Sequence, residues 1–342
     1  MNIQDYDYVL PPELIAQVPE SPRDASRLFV YDTVRDQIIF DQFRNVDKYL
    51  PSDSFLVLNS TKVVPARLMV KKETGGKAEL LLLVNEWRAG DSFIKTLSDR
   101  KLTVGQKIFI HKQLGFQIAG QDEKVFLLKP NFPWKDLHKI LMQYGTTPIP
   151  KYIRHSPLKE AQLRQKYQTV FARKAGSTAA PTASLHFTKS VFTKLAKKGI
   201  PHLFVTLHVG LGTFSPVTEE NFSKKKLWNE YFDIAKTSAR NIRSFKKSGK
   251  KLIAVGTTAV RTLESAAKGK EHATDLFIFP PYSFKAVDGL ITNFHIPKSS
   301  LMMLVDAFLQ HKKAKRNIRE LYQVAIQNQF RFYSFGDAML IL

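Results

Sequence analysis

Between Phe55 and Lys129 the chain breaks into short apolar runs: Phe55–Leu58, Ala66–Lys71, Lys77–Val84, Ser92–Thr96, Lys107–Ile110, Gly115–Ala119 and Val125–Leu128. Turn residues part them at Gly75-Gly76, Ala89-Gly90, Gly105 and Gly120-Gln121-Asp122. Strands this short, at this spacing, predict a small barrel or sandwich. Trp134 to Tyr144 then shows helical spacing, with Leu137, Ile140 and Leu141 on one face. From about Phe187 the texture changes. The apolar runs Leu203–Leu207 and Leu252–Val255 suit buried strands, and Ala235–Ser248 and Arg261–Ala267 carry helical spacing. Leu276–Phe279 and Gly289–Thr292 read as further strands. Leu301–Gln310 and Ile318–Gln327 read as helices, the first opened by Pro297. This alternation predicts an α/β fold, a mainly parallel sheet with flanking helices. The β-rich block lies between stretches of other texture. Residues 61–149 are therefore expected as an inserted small β-barrel domain, and residues 1–60 and 150–342 as a discontinuous α/β catalytic domain.

Charge narrows the partners. The 342 residues hold 52 Lys+Arg against 30 Asp+Glu, a net +22. Residues 1–60 alone sum to −5, so the excess lies in the remainder. Such a field favours a polyanion, nucleic acid above all; lysines on solvated faces are the plain alternative. Hydrophobic residues at 44% exclude disorder as the main state. No apolar run approaches the roughly 18 residues of a membrane span, and Met1–Tyr8 is polar and acidic, unlike a secretory leader. With no cysteine, disulfides and thiolate chemistry drop out. A cytoplasmic monomer that does not engage a membrane is expected.

Four segments are polar and rich in glycine or proline where strands should end, and ligands of open α/β sheets bind at the carboxyl ends of strands. In Thr206-Leu-His208-Val-Gly210-Leu-Gly212-Thr213 an apolar strand runs into two glycines that would let a ligand approach the backbone. A tight turn with a bonded histidine fits as well. In Val255-Gly256-Thr257-Thr258-Ala-Val-Arg261 a strand ends at glycine, a threonine caps the next helix, and Arg261 lies on its first turn, where an anion suits. Glu264 would pair with Arg261 three residues on. Asn293-Phe-His295-Ile-Pro297 again follows a strand and precedes a helix. Ala179 to Phe187, with Thr182 and His186, offers small residues on which something flat can rest. There is no HExxH, no paired HxH, no GxSxG elbow, no Walker loop and no nicotinamide fingerprint. No metal site is expected.

Taken together, in this order, these segments resemble the S-adenosylmethionine:tRNA ribosyltransferase-isomerase family of queuosine biosynthesis. The likeness runs from Asp5-Tyr6 and Leu14-Ile15-Ala16 to Tyr333-Ser334-Phe335-Gly336-Asp337-Ala338-Met339. Val64-Pro65-Ala66-Arg67, Gly75-Gly76-Lys77, Tyr167-Gln168-Thr169-Val170 and Ala180-Pro181-Thr182-Ala183 carry it in between. So do Leu207-His208-Val209-Gly210, Gly256-Thr257-Thr258 and Thr292-Asn293-Phe294-His295.

The resemblance implies transfer and isomerisation of the ribosyl part of S-adenosylmethionine onto 7-aminomethyl-7-deazaguanine at the tRNA wobble position. Epoxyqueuosine forms; adenine and methionine leave. S-adenosylmethionine is then a substrate, tRNA the polyanionic partner, and no cofactor is expected. A sulfonium acidifies the C5′ hydrogens beside it, so a positioned base is needed, and His208, His186 and His295 are the side chains of suitable type. Asp337 is a candidate for the methionine ammonium or the ribose hydroxyls, or a plain turn aspartate. Arg261 with Thr257-Thr258 is a candidate for the methionine carboxylate. Arg67, Thr182, Gly210, Gly212, Thr213, Gly256 and Asn293 complete the expected substrate-binding set. The chain departs from the family pattern at Lys62, where arginine is usual, at Ser184 for glycine, at Trp228 for histidine and at Pro281 for glycine. If the residue at Ser184 needs a left-handed backbone, serine costs about 1–2 kcal/mol there. The competing reading is a catalytically impaired tRNA-binding homologue of the same fold. A methyltransferase using the same donor is disfavoured because the glycine segments do not form that fold's first-strand motif.

Overall fold

The structure, a computed structural model, describes residues 2–88, 90–210 and 217–342. The chain opens with the hairpin β1 (Arg27–Asp32) and β2 (Gln37–Gln42), then β3 (Ser54–Asn59) and the short β4 (Thr61–Val63). There follow β5 (Arg67–Lys72), β6 (Lys77–Leu82), β7 (Ile94–Ser98), β8 (Lys107–His111), β9 (Leu114–Asp122) and β10 (Val125–Pro130). These six close into a barrel in the order β10-β7-β6-β5-β8-β9. Its alternating inward residues, such as Leu68, Val70, Leu80, Leu82 and Ile118, form a core of their own, plugged by Leu137 and Leu141 of the helix Leu137–Tyr144. This is the barrel read from the sequence, and each strand expected between Ala66 and Leu128 is present; the strand expected at Leu276–Phe279 is not, for the strand there is Ala273–Leu276 and ends where that apolar run begins.

After the barrel come β11 (Lys174–Ser177), β12 (His202–Leu207), β13 (Lys226–Asp233), β14 (Lys251–Val255), β15 (Ala273–Leu276), β16 (Gly289–Asn293) and β17 (Ala338–Ile341). The large sheet runs β15-β13-β12-β3-β14-β16-β17-β1-β2. It is mixed, not mainly parallel as expected. The centre β12-β3-β14-β16 is parallel, and so is β17-β1. β13 pairs antiparallel with both β12 and β15, β17 with β16, and β2 with β1. The difference arises from strands the apolar pattern does not announce. β13, Lys226-Leu-Trp-Asn-Glu-Tyr-Phe-Asp233, mixes polar with apolar residues and exposes Lys226, Trp228 and Asn229, so it lacks the continuous apolar run of a central strand. β17 is only four residues long, Ala338–Ile341, too short an apolar run to announce its direction.

The central strands are buried on both faces, and their alternation assigns each face. Phe55 and Val57 of β3, and Leu252 and Ala254 of β14, pack with the helices Ser300–His311 and Ile318–Gln327. Leu56, Leu58, Ile253 and Val255 pack on the opposite side with Phe43, Phe187 and the helix Lys189–Lys197. Helices thus cover both faces, as read from the alternation. β4 pairs with β11 in a separate two-stranded ribbon and takes no part in the barrel. Among the described residues no helix is long and apolar enough to cross a membrane.

Candidate active site

Because β12, β3, β14 and β16 run parallel, their carboxyl ends meet on one edge of the sheet. Asn59, at the end of β3, ties that edge together. Its amide donates to the Leu207 carbonyl at 3.0 Å and to Thr258 Oγ1 at 3.1 Å, and its Oδ1 accepts the N–H groups of Leu207 and Thr61. All its capacity is used in joining β3, β12 and the helix Thr257–Ala267.

Above this edge lies a cleft of about 1030 Å³, its open mouth included. It runs from Glu230 on β13, past Gly256 to Thr258 after β14, to Asn293 and His295 after β16. From β13 to β16 is four strand spacings, roughly 19 Å. Gly256 adopts φ +86°, where a side chain would be strained, and its N–H donates to Ile291 O at 2.7 Å. Gly256 itself is the N-cap, with no side-chain cap, so the expected threonine cap is absent. The helix start borders the cleft without a side-chain cap, an arrangement suited to an anion.

Of the residues singled out in the sequence, Thr182, Gly256, Thr257, Thr258, Arg261, Asn293 and His295 line this cleft. Arg261 does so differently from expectation. It is buried and forms an ion pair with Glu230, while its Nε donates to Leu276 O at 3.1 Å. Its charge is therefore already compensated. Glu264 does not pair with it. That carboxylate accepts the N–H groups of Lys285, Ala286 and Val287 and the Tyr282 hydroxyl. Glu230 is not among the site residues expected from the sequence. Its other oxygen accepts the Gly210 N–H at 2.9 Å.

The histidines divide. His295 lines the cleft, with Nε2 2.8 Å from Thr292 Oγ1. His186 lies behind it. Its Nδ1 is 2.8 Å from Ser26 Oγ and its Nε2 3.3 Å from Asn293 Nδ2. Asn293 Oδ1 accepts from Thr182 Oγ1 at 2.9 Å, so its Nδ2 faces His186, whose Nε2 must accept and whose Nδ1 carries the proton. Burial depresses both histidines to about 3, with Arg331 and Arg23 adding to the effect on His186. His208 lies outside the cleft lining. Its Nδ1 is 2.8 Å from Thr61 Oγ1, its ring lies across Gly176, and burial with Arg88 and Lys174 lowers it to about 4.

Other expected residues are not brought to the cleft. Asp337 is buried and accepts the N–H groups of Arg27 and Arg331 and a guanidinium N–H of Arg331. It holds a turn, the plainer of its two readings. Arg67, on β5 in the barrel, donates to Glu79 at 2.6 Å and to Ile149 O at 3.0 Å. Gly210 packs against the barrel, for a Cβ there would stand 2.1 Å from the Asn85 amide nitrogen. Gly212 and Thr213 lie outside the described residues. Tyr152, Tyr333 and Ser334 also line the cleft and were missed as site residues; the last two stand in the quoted Tyr333 to Met339 motif.

The departures from the family pattern fall unevenly. Lys62 is exposed on β4, and Trp228 is exposed on β13. Ser184 lies in a 3-10 helix, Thr182–His186, with φ in the ordinary range, so the expected left-handed strain does not arise. Its hydroxyl is instead buried and has no hydrogen-bond partner among the described residues. Pro281 follows a cis peptide bond at Pro280. Among the described residues no group of three or more His, Asp or Glu is placed to hold a metal.

The family profile described as queuosine biosynthesis protein matches residues 3–341. A relative from Sulfurihydrogenibium sp. is 46% identical over the whole of both chains, and one from Thermotoga maritima is 43% identical, again over the whole of both. Both are named S-adenosylmethionine:tRNA ribosyltransferase-isomerase. The crystal structure of the S-adenosylmethionine tRNA ribosyltransferase from Thermotoga maritima superposes with a TM-score of 0.55 at 34% identity, covering 99% of this chain and 100% of that one. An end-to-end match of this kind, on a fold with the same extent, decides the relationship: the chain belongs to the queuosine biosynthesis protein family.

Proposed function

We propose that this protein is an S-adenosylmethionine:tRNA ribosyltransferase-isomerase. It transfers and isomerises the ribosyl moiety of S-adenosylmethionine onto 7-aminomethyl-7-deazaguanine at the wobble position of tRNA. The observation that carries this reading is full-length identity above 40% to relatives of that name, on a chain whose strand ends build one continuous cleft.

The chemistry follows from the donor. Its sulfonium acidifies the C5′ hydrogens, and a neutral base takes one; the electron pair left on C5′ forms a C5′=C4′ bond as C4′–O4′ breaks, and O4′ becomes a carbonyl on C1′ as adenine leaves. The aminomethyl nitrogen then adds to C4′ and gives up a proton, the carbanion so restored at C5′ bonds to C1′, and the C1′ oxygen closes the epoxide on C5′ as the C–S bond breaks and methionine departs. His295 is the candidate base, since its ring lines the cleft in the uncharged form. His186 positions Asn293, a cleft residue, through its Nε2, and His208, bonded to Thr61 outside the lining, is the weaker candidate. The uncapped start of the helix Thr257–Ala267 receives the methionine carboxylate. Arg261 supports that subsite through Glu230 and Gly210 in place of gripping the carboxylate directly. The division into residues 1–60 with 150–342 and an inserted 61–149 belongs to this reading, supported by the barrel's separate core. So do a monomeric state and a cytoplasmic site of action, where tRNA is found.

The test incubates purified protein with S-adenosylmethionine and tRNA carrying the aminomethyl-deazaguanine base. Free adenine and an epoxyqueuosine mass at the wobble nucleoside are expected. tRNA binding with no adenine released would overturn the catalytic reading and leave a tRNA binder.

A further inference from the structure

The far wall of the cleft is built on a strained turn. Tyr333 adopts φ +71°, a left-handed backbone that a bulky side chain takes only when its surroundings impose it. Those surroundings are explicit. The Asp337 N–H donates to the Arg331 carbonyl at 2.8 Å, and the Asp337 carboxylate accepts the Arg331 N–H at 2.8 Å. The two ends of the turn are thereby pinned. Inside that closure the Gly336 N–H donates to the Tyr333 carbonyl at 3.1 Å. A Cβ on Gly336 would stand 2.4 Å from the Arg331 carbonyl oxygen, so only glycine closes the turn. The Tyr333 N–H donates to Phe294 O at 3.1 Å and fixes the turn to the segment after β16.

The turn presents an aromatic wall. The Tyr333 and Tyr152 rings lie 4.8 Å apart at 57°, and the Tyr152 hydroxyl is 2.6 Å from Ser334 Oγ. Tyr152 packs in turn with Tyr167 and Ala180. All of these residues line the cleft. Asparagine or glycine would hold the left-handed position with less strain, yet the fold places a mostly buried ring there, at the lining of the cleft.

We propose that the Tyr152–Tyr333 wall is the subsite for a purine-shaped base. Aromatic rings hold such a base through its flat face, whatever its edge groups. This inference rests on the transferase reading, which supplies two bases of that shape: the adenine of the donor and the deazaguanine of the tRNA.

Tyr333→Asn tests it, because asparagine deletes the ring while easing the turn. The ring is also part of the main core, so the melting temperature is expected to fall, and binding is compared at a temperature where the variant is folded. Affinity for S-adenosylhomocysteine, measured by titration calorimetry, is expected to fall about ten-fold or more. Tyr333→Phe keeps the ring and should bind within about three-fold of the native chain. Tyr152→Leu, on a different segment, should weaken binding in the same direction. A second arm titrates an anticodon stem-loop carrying the aminomethyl-deazaguanine. Loss confined to S-adenosylhomocysteine assigns the wall to adenine; loss confined to the stem-loop assigns it to deazaguanine. Unchanged affinity for both probes in Tyr333→Asn overturns the subsite and leaves the transferase reading standing. A native chain that binds neither probe overturns both.

Discussion

At the level of single side chains, the site keeps its histidines uncharged. His186 and His295 are each lowered by burial to about 3, against about 6.5 in an unfolded chain. Between those values the unfolded state binds the proton and the folded state does not. Their contribution to stability is therefore fully present above pH 6.5 and is lost as pH falls toward 3. The slope is on the order of 1.4 kcal/mol per pH unit for each histidine. Urea unfolding at pH 7 and pH 5 should show this loss, and His186→Gln should have a visibly shallower dependence; equal slopes would remove the buried histidine from the account. The sequence announced these residue types but not their states. Nothing near His186 in the chain foretells that Ser26 and Asn293, far away in sequence, occupy both its ring nitrogens. Asp337 is the same case, a carboxylate read as a ligand group that the fold spends on its own turn.

Elements show where pattern reading works and where it stops. The barrel strands were legible because glycine turns and apolar alternation are local signals. The strand β13 was not, because polar residues interrupt its apolar pattern, the buried Glu230 among them. Missing it hides the partner of Arg261, since Glu230 sits on that strand. The buried pair joins β13 to the helix Thr257–Ala267 and, through Gly210, to the loop after β12. Glu230→Ala would leave the Arg261 guanidinium buried without its counter-charge, a loss of about 3–5 kcal/mol. Glu230→Leu combined with Arg261→Met should recover most of that stability, because no lone charge remains. Denaturant midpoints of the single and double variants decide this; a double variant as unstable as the single one would show that the pair matters through packing and not through charge.

For the whole molecule, a net charge of +22 acts on a polyanion at a distance. Affinity for tRNA should fall with salt, with a log–log slope of roughly 0.7–0.9 per phosphate contacted. Lys71 and Lys77 are exposed at the β5–β6 end of the barrel. If the barrel grips tRNA, Lys71→Glu with Lys77→Glu should lower affinity and flatten that slope by roughly one to two phosphates' worth. An unchanged slope would place the grip on the large sheet's side. The sequence by itself determined the barrel, the burial of the central strands on both faces, and the family, because turn chemistry, two-residue alternation and ordered motifs are all local along the chain. Only the tertiary structure decided that the sheet is mixed, that Arg261 is already paired, and that Tyr333 is forced left-handed against Tyr152. Those facts depend on contacts between residues distant in sequence, whose energies no local pattern records.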